Sequence, residues 1–313
     1  YVVAALLRHG TTGVLATMGY PEMAAGTIQP QLQAFARALE GLADRAVVLG
    51  VHLEGPYTNP KYGARVKASP IRPFDPAEYG ELIAHPLVRW WTCAPEIPGA
   101  RPFIEAAARR GIVVAAGHTE ATAEQTITAI GWGLRAITHW TNATGNVAKP
   151  RFGGTRLPGI DEVALVRDDL SVEIIPDAGG CHVHPLMAQL LYRAQGPDRV
   201  LIITDTSYRR SADPLPANAE FQDVNINAAG ELAGSRLTMN GAVRNFRRAT
   251  GCPLPELFRM AALNTARLLG IDRTVGSIEV GKRANLVMLD DAFNVRATFL
   301  DGRCVFDAGR KTA

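Results

Sequence analysis

Five side chains suited to hydrolytic chemistry recur at one kind of place in this 313-residue chain. Glu54 closes the apolar run Val47 to Leu53 and is followed at once by Gly55-Pro56. His118 follows a second run in "AAGHTEAT", His139 a third in "AITHWTN", and Asp205 a fourth in "LIITDTS". His182, in "GGCHVHP", lies a few residues beyond a fifth run and its Asp177. Two imidazoles and a carboxylate, Glu54, His118 and His139, are a ligand set for one divalent ion, Zn²⁺ before Fe²⁺, with a position left open. Such an ion brings the pKa of bound water to about 7 and polarises a carbonyl. Asp205 suits a general base that takes a proton from the attacking water and returns it to a leaving amine. An aspartate is ionised at neutral pH, which is the state a base needs.

Each residue alone also has a structural reading. Glu54 before Gly-Pro caps a turn, a strand-end His is a hydrogen-bonded residue, and Asp205-Thr206-Ser207 is a helix N-cap. The coincidence at four strand ends is what favours a metal site. His52 reads as packing, His9 as a helix C-terminal residue favoured by the dipole, and His184 before Pro185 as the start of a helix. Asn142 and Arg156 are candidates for substrate binding. Arg156 follows the Gly-rich "FGGT", where a guanidinium can clamp a phosphate. The pair Arg209-Arg210 reads as surface charge or as a second anion contact.

The elements that must position these residues alternate. Strands are expected at Thr12 to Met18, Ala46 to Leu53, Val88 to Ala94, Ile112 to Ala116, Ala136 to His139, Ser171 to Ile175 and Val200 to Thr204. Helices are expected at Gln31 to Leu42, Arg101 to Arg110, Ala121 to Trp132 and Pro185 to Ala194. Strand–helix alternation predicts a parallel sheet, and solidly apolar strands are buried on both faces. Polar groups after successive strands mark the active-site face of a (β/α)₈ barrel. Seven such strands are one short of closure. Past Ile271, "VGSIEVGKRANLVMLDD" and "VRATFLDGRCVFDAG" have the period and Gly punctuation of antiparallel strands. The expected division is a barrel over 1–270 and a small β-sandwich portion over 271–313. The opening residues read as the last turns of an amphipathic helix, so the first residue is expected to lie inside a domain.

Composition narrows the function classes. With 47% hydrophobic and 20% charged residues and a formal charge of +3, the chain is globular, with no basic run to bind nucleic acid. No stretch approaches the ~20 apolar residues of a membrane span. The four cysteines are scattered without a C-x-x-C, as free thiols in a reducing, cytoplasmic compartment would be.

The ordered segments "HGTTGVLAT", "GVHLEGPYTNPKYGA", "CAPE", "AAGHTEAT", "ITHWTNAT", "GCHVHP", "IITDT", "LAGSRLTMNGAVRN", "AALNTARLLGI" and "GSIEVGKRANLVMLD" resemble the N-acetylglucosamine-6-phosphate deacetylases of the amidohydrolase superfamily. The resemblance runs over nearly the whole chain and begins after that family's first barrel strand. It implies a TIM-like barrel with one divalent metal on Glu54, His118 and His139, Asp205 as base and then acid, and His182 polarising the amide carbonyl. It implies substrate contacts at Asn142, Ala143, Ala64 and Leu232, Ala233, Gly234 and Ser235. Arg156 matches a phosphate-binding arginine that reaches the neighbouring subunit's site, so a homodimer is implied. Arg65 stands where the family places a substrate-contacting His. The expected activity is removal of the acetyl group from N-acetylglucosamine-6-phosphate. Rival readings are another N-acyl amino sugar, an N-acyl amino acid or a cyclic amide as substrate, or a non-catalytic binding remnant of the fold.

Overall fold

Seven strands follow one another in a single sheet in the order in which the chain makes them. They are β1 (Val14–Met18), β2 (Val48–Glu54), β3 (Val88–Cys93), β4 (Val113–Ala116), β5 (Leu134–Ile137), β6 (Ser171–Ile174) and β7 (Val200–Ile202). The pairings from β1 through β6 are all parallel. This is the α/β, TIM-like architecture that the alternation predicts. The computed structural model describes residues 2–20, 23–42, 44, 47–62, 70–145, 157–207, 222–226 and 232–310.

The chain divides into two compact units. The first, Gly13–Val172, carries β1 to β5 and the start of β6. Its strands are apolar because both faces are covered: every residue of β4 is buried, and so are Trp90, Trp91 and Cys93 of β3. The helices bring one apolar stripe each. In α4 (Ala100–Arg109) the buried residues Ala100, Phe103, Ile104 and Ala107 follow the i, i+3, i+4, i+7 spacing of a single helix face. Phe103 is packed among Tyr57, Phe74, Tyr79 and Trp91. Cutting Phe103 to Ala would cost about 3–5 kcal/mol by leaving that cavity. Local signals fix the helix starts. Asp75 caps α3 (Pro76–Ala84) by accepting from Ala77 N, with Pro76 in the first turn. Thr122 and Gln125 form a capping box on α5 (Ala123–Trp132).

The second unit joins Tyr1–Thr12 to Glu173–Ala313. It holds the end of β6, β7, α7 (Pro185–Gln195), α8 (Met239–Thr250) and the two-stranded hairpin of β8 (Val224–Ile226) and β9 (Leu232–Ser235). Its antiparallel sheet of β10 (Leu286–Leu289), β11 (Val295–Leu300) and β12 (Arg303–Asp307) is the expected β-rich tail. The opening helix α1 (Val2–Arg8) packs on β11 and β12, and Thr298 Oγ1 donates to Leu7 O at 2.7 Å. His184 is the N-cap of α7, its side chain accepting from Leu186 N, as its place before Pro185 predicts.

Candidate active site

β2, β4 and β5 each send one side chain to the same point. Glu54 is the last residue of β2, and His118 and His139 each come two residues past their strands. Glu54 Oε1 lies 2.9 Å from Nε2 of His118 and 2.9 Å from Nε2 of His139, and the two Nε2 atoms are 3.2 Å apart. The other nitrogen of each ring is occupied: His118 Nδ1 meets Tyr62 O at 2.7 Å and His139 Nδ1 meets Asn142 O at 3.0 Å. A carbonyl oxygen only accepts, so each Nδ1 carries a proton, and a ring in its neutral form presents a lone pair at Nε2. Two lone pairs and a carboxylate oxygen at this spacing repel unless positive charge lies among them. These three residues form a group able to hold a metal ion, and their outer hydrogen bonds are those of metal-bound histidines. The donor set therefore fits a divalent cation.

The backbone is turned at these points. His118 has φ +50° and His139 φ +32°, with Thr141 and Ala143 also left-handed. Such conformations cost a residue with a side chain about 1 kcal/mol or more and persist where neighbours fix them. Here Asn59 N donates to His118 O and Asn142 N to His139 O, both at 2.9 Å. Glu96, just past β3, ties the loops together. Its Oε1 accepts from Asn59 Nδ2 at 3.0 Å and from Glu120 N at 2.7 Å, and its Oε2 accepts from Thr119 Oγ1. Thr119 N then donates to Ala143 O, and Thr119 O accepts from Gly145 N.

Two neighbours escape a reading by sequence. Tyr20 turns its ring edge to His118, with centroids 6.0 Å apart, and bonds Thr58 through its hydroxyl. Burial, eased by the Thr58 bond and reinforced by Glu54, pushes that hydroxyl up to about 12. A Cβ at Gly55, where φ is +93°, would lie 2.6 Å from the Tyr20 oxygen, which explains why glycine follows Glu54. His52, expected as packing, is instead a hydrogen-bonded link. Thr17 Oγ1 lies 3.2 Å from its Nδ1 and Thr92 Oγ1 2.8 Å from its Nε2, and Thr92 reaches Thr138 at 2.6 Å. Burial pushes its ring down to about 4, so it is neutral at pH 7.

His182 and Asp205 belong to the second unit. Asp177, three residues past β6, accepts from Cys181 N at 2.8 Å and His182 N at 2.7 Å, and its Oδ2 lies 3.1 Å from His182 Nδ1. The carboxylate accepts, so Nδ1 holds the proton. Burial opposes the charge on Asp177, but the His182 ring and the two backbone N–H groups hold its carboxyl below the ordinary range. Asp205, three residues past β7, has φ +46°. Thr206 bridges to Ser235.

The remaining candidates fall into three groups. Asn142 is tied to His139 by the bonds above, and Ala143 O accepts from Thr119 N. Leu232, Ala233, Gly234 and Ser235 form β9, with Leu232 exposed. Ser235, expected to touch substrate, has 0% exposure, and its hydroxyl joins Thr204 O to Leu237 N. Ala64, Arg65 and Arg156, with Arg209 and Arg210, lie outside the described residues.

Comparison with known proteins places this geometry. The family model described as "Amidohydrolase family" matches residues 1–305. An N-acetylglucosamine-6-phosphate deacetylase of Vibrio furnissii is 32% identical, over 94% of this chain and 75% of the relative. An N-acetylgalactosamine-6-phosphate deacetylase of Escherichia coli O157:H7 is also 32% identical, over 88% of this chain and 73% of the relative. A Mycobacterium smegmatis N-acetyl-D-glucosamine-6-phosphate deacetylase mutant, solved in complex with N-acetyl-D-glucosamine-6-phosphate, superposes with a TM-score of 0.81 at 30% identity, over 97% of this chain and 79% of that one. With the family model covering nearly its full length, this chain belongs to the amidohydrolase family, in the branch of the N-acetylglucosamine-6-phosphate deacetylases.

Proposed function

We propose that the chain hydrolyses the N-acetyl amide of N-acetylglucosamine-6-phosphate to glucosamine-6-phosphate and acetate. The observation that carries this reading is the convergence of Glu54 Oε1 with the Nε2 lone pairs of His118 and His139, in a chain whose relatives bear that name. Glu54, His118 and His139 hold one divalent ion, Zn²⁺ before Fe²⁺. Bound there, the ion supplies Lewis acidity to the acetyl carbonyl and a water acidic enough to attack near pH 7. Asp205 takes the proton as water oxygen adds to the carbonyl carbon. The same carboxyl then gives that proton to the amine nitrogen as the carbon–nitrogen bond breaks. His182, with its proton held on Nδ1 by Asp177, contacts the substrate through Nε2. Asn142, Ala143 and the β9 backbone, with Ala64 and Arg65, line the sugar. Arg156 takes the phosphate, reaching the neighbouring subunit's site of a homodimer. The compartment in this reading is the cytoplasm; among the described residues no helix is long and apolar enough to cross a membrane.

A second reading changes one stereocentre. The relative named for N-acetylgalactosamine-6-phosphate is as identical to this chain as the one named for the gluco epimer. Elemental analysis of the purified chain, followed by kcat/KM on both epimers and on unphosphorylated N-acetylglucosamine, tests all of this. The expected result is about one equivalent of metal, and phosphorylated substrate preferred by 10-fold or more. No metal in a folded chain would overturn the hydrolase mechanism. Preference for the galacto epimer would replace the substrate, and equal kcat/KM with and without phosphate would remove the Arg156 clamp.

A further inference from the structure

We infer that Ser235 is a positioning residue for Asp205, and that the β8–β9 hairpin is the brace that keeps the Asp205 loop in its turned conformation. This rests on Asp205 being the base. A left-handed aspartate does not hold itself; something must over-determine it. Each residue of the loop is tied to the hairpin side. Thr204 O accepts from Ser235 Oγ, and Asp205 O accepts from Ser235 N at 3.1 Å. Thr206 Oγ1 donates to Leu237 O, and Ser207 N donates to Ser235 O at 3.1 Å. Asn225, on β8, closes the set: its Nδ2 donates to Ser207 Oγ and to Ser235 O, each at 2.8 Å, and its Oδ1 accepts from Arg236 Nε at 2.7 Å. Gly234 has φ +78°, and a Cβ there would stand 3.5 Å from Asp205 O.

The Ser235 hydroxyl is the part of this brace that the backbone cannot replace. It donates to Thr204 and accepts from Leu237 N at 3.1 Å, so it clamps the residue before Asp205 to the residue where the chain leaves the hairpin. Removing it leaves a part-buried carbonyl and a buried N–H without that partner. The backbone at Asp205 then has room to relax, and the carboxylate is no longer held where the proton transfer needs it. Binding of the ground-state substrate does not use that orientation. A loss confined to the chemical step is therefore the signature of this role.

The test uses the full chain with Zn²⁺ bound, as wild type, Ser235→Ala, Asp205→Asn and the double variant. Ser235→Ala should lower kcat roughly 10- to 100-fold, with KM and metal content within about twofold of wild type. In the Asp205→Asn background the same change should move the residual kcat by less than about twofold, because there is no longer a base to misplace. Thr206→Val, which cuts the neighbouring tie to Leu237, should give a smaller loss of the same kind and serves if Ser235→Ala does not fold. A raised KM at unchanged kcat would make Ser235 a substrate contact and overturn the inference. Equal losses with and without the Asp205 carboxylate would also overturn it, leaving Ser235 a general support of the fold. Near-normal turnover in Asp205→Asn alone would instead sink the base assignment, and the inference with it.

Discussion

The Glu54–His118–His139 cluster and the Asp177–His182 and Asp205 segments satisfy their polar groups in opposite ways. Glu54, His118 and His139 are tethered at their far ends by backbone carbonyls and face one another with electron pairs. Their near ends are incomplete without a cation. Asp177, His182 and the Asp205 loop are closed internally: carboxylate to N–H, hydroxyl to carbonyl, hairpin to loop. The first region should depend on a bound ion for both stability and chemistry. The second should keep its geometry whether or not an ion is present.

The largest effects test the first half of that contrast. Chelation should lower the midpoint of thermal unfolding, because an ion that binds only the native state adds about 4 kcal/mol at a thousand times its Kd. Glu54→Gln should abolish both metal binding and the chelator-sensitive part of the midpoint, with turnover down by about 10³ or more. Asp205→Asn should lose about 10²–10⁴ in kcat while keeping the chelator shift intact. A midpoint indifferent to chelation in the wild type would erase the distinction between the two regions.

Asp177→Asn probes the second half. An asparagine still accepts from one backbone N–H, but it no longer fixes the proton on His182 Nδ1. A fall of about 10- to 100-fold in kcat/KM is expected, with metal content unchanged. The pH dependence follows from the sign of the shift. The folded-state carboxyl of Asp177 is depressed, so its contribution to stability is fully present above the unfolded value of about 3.9 and is lost as pH falls through the folded one. Unfolding midpoints measured from pH 6 downward should drop less steeply for Asp177→Asn than for wild type. Parallel curves would show that the carboxylate carries no such linkage.

How much of this was legible follows the same divide. Two of the strand ends were: β2 ends on Glu54 and β4 ends two residues before His118, where their apolar runs stop. The fifth strand was misplaced by two residues, at Ala136 to His139 against Leu134–Ile137. A strand buried on both faces has no alternation to set its register, and Thr138-His139 look as strand-like as Leu134-Arg135. What holds the side chains was not legible. The bonds from Asp177 to His182, from Glu96 to Asn59 and Glu120, and from Ser235 to Thr204 join residues by turn geometry or across long gaps, and periodicity carries no record of them. Ser235 shows the limit of reading by motif: its segment can be recognised, but the bonds of its hydroxyl to Thr204 O and Leu237 N leave no trace there. Tyr20 left no pattern at all; only the space it takes beside Gly55 marks it.

A moderate effect is expected at Glu96, the tie among the metal-side loops. Glu96→Gln keeps the shape but replaces one acceptor oxygen with an N–H donor, against a Thr119 hydroxyl or an Asn59 amide that was donating. Outer-sphere changes of this kind cost 10- to 100-fold in metal affinity, and a loss toward the lower end is expected because one oxygen remains. Titration with a metal-sensitive dye would measure it. Unchanged affinity would mean that the loops hold the ligands without Glu96.

The smallest effect is expected at Asp223, and it separates tethering from charge. Its Oδ2 accepts from Ala178 N at 2.8 Å, one residue from Asp177, while its Oδ1 is buried without a partner. Burial first, and the nearby Asp177 charge, raise its carboxyl above the ordinary value despite the Ala178 bond. A raised carboxyl contributes stability that is present below the unfolded pKa and lost as pH rises through the folded one. At neutral pH the ionised group is therefore a mild liability. Asp223→Asn keeps an oxygen for Ala178 N and removes the charge facing Asp177. Solvent screening at this half-exposed position limits the gain to about 0.5 kcal/mol, and kcat should stay within about twofold. The difference from wild type should grow as pH rises through the carboxylate range and level off above it. A variant that lost kcat without losing stability would show that the Asp223 charge, and not only its oxygen, acts on the Asp177–His182 pair.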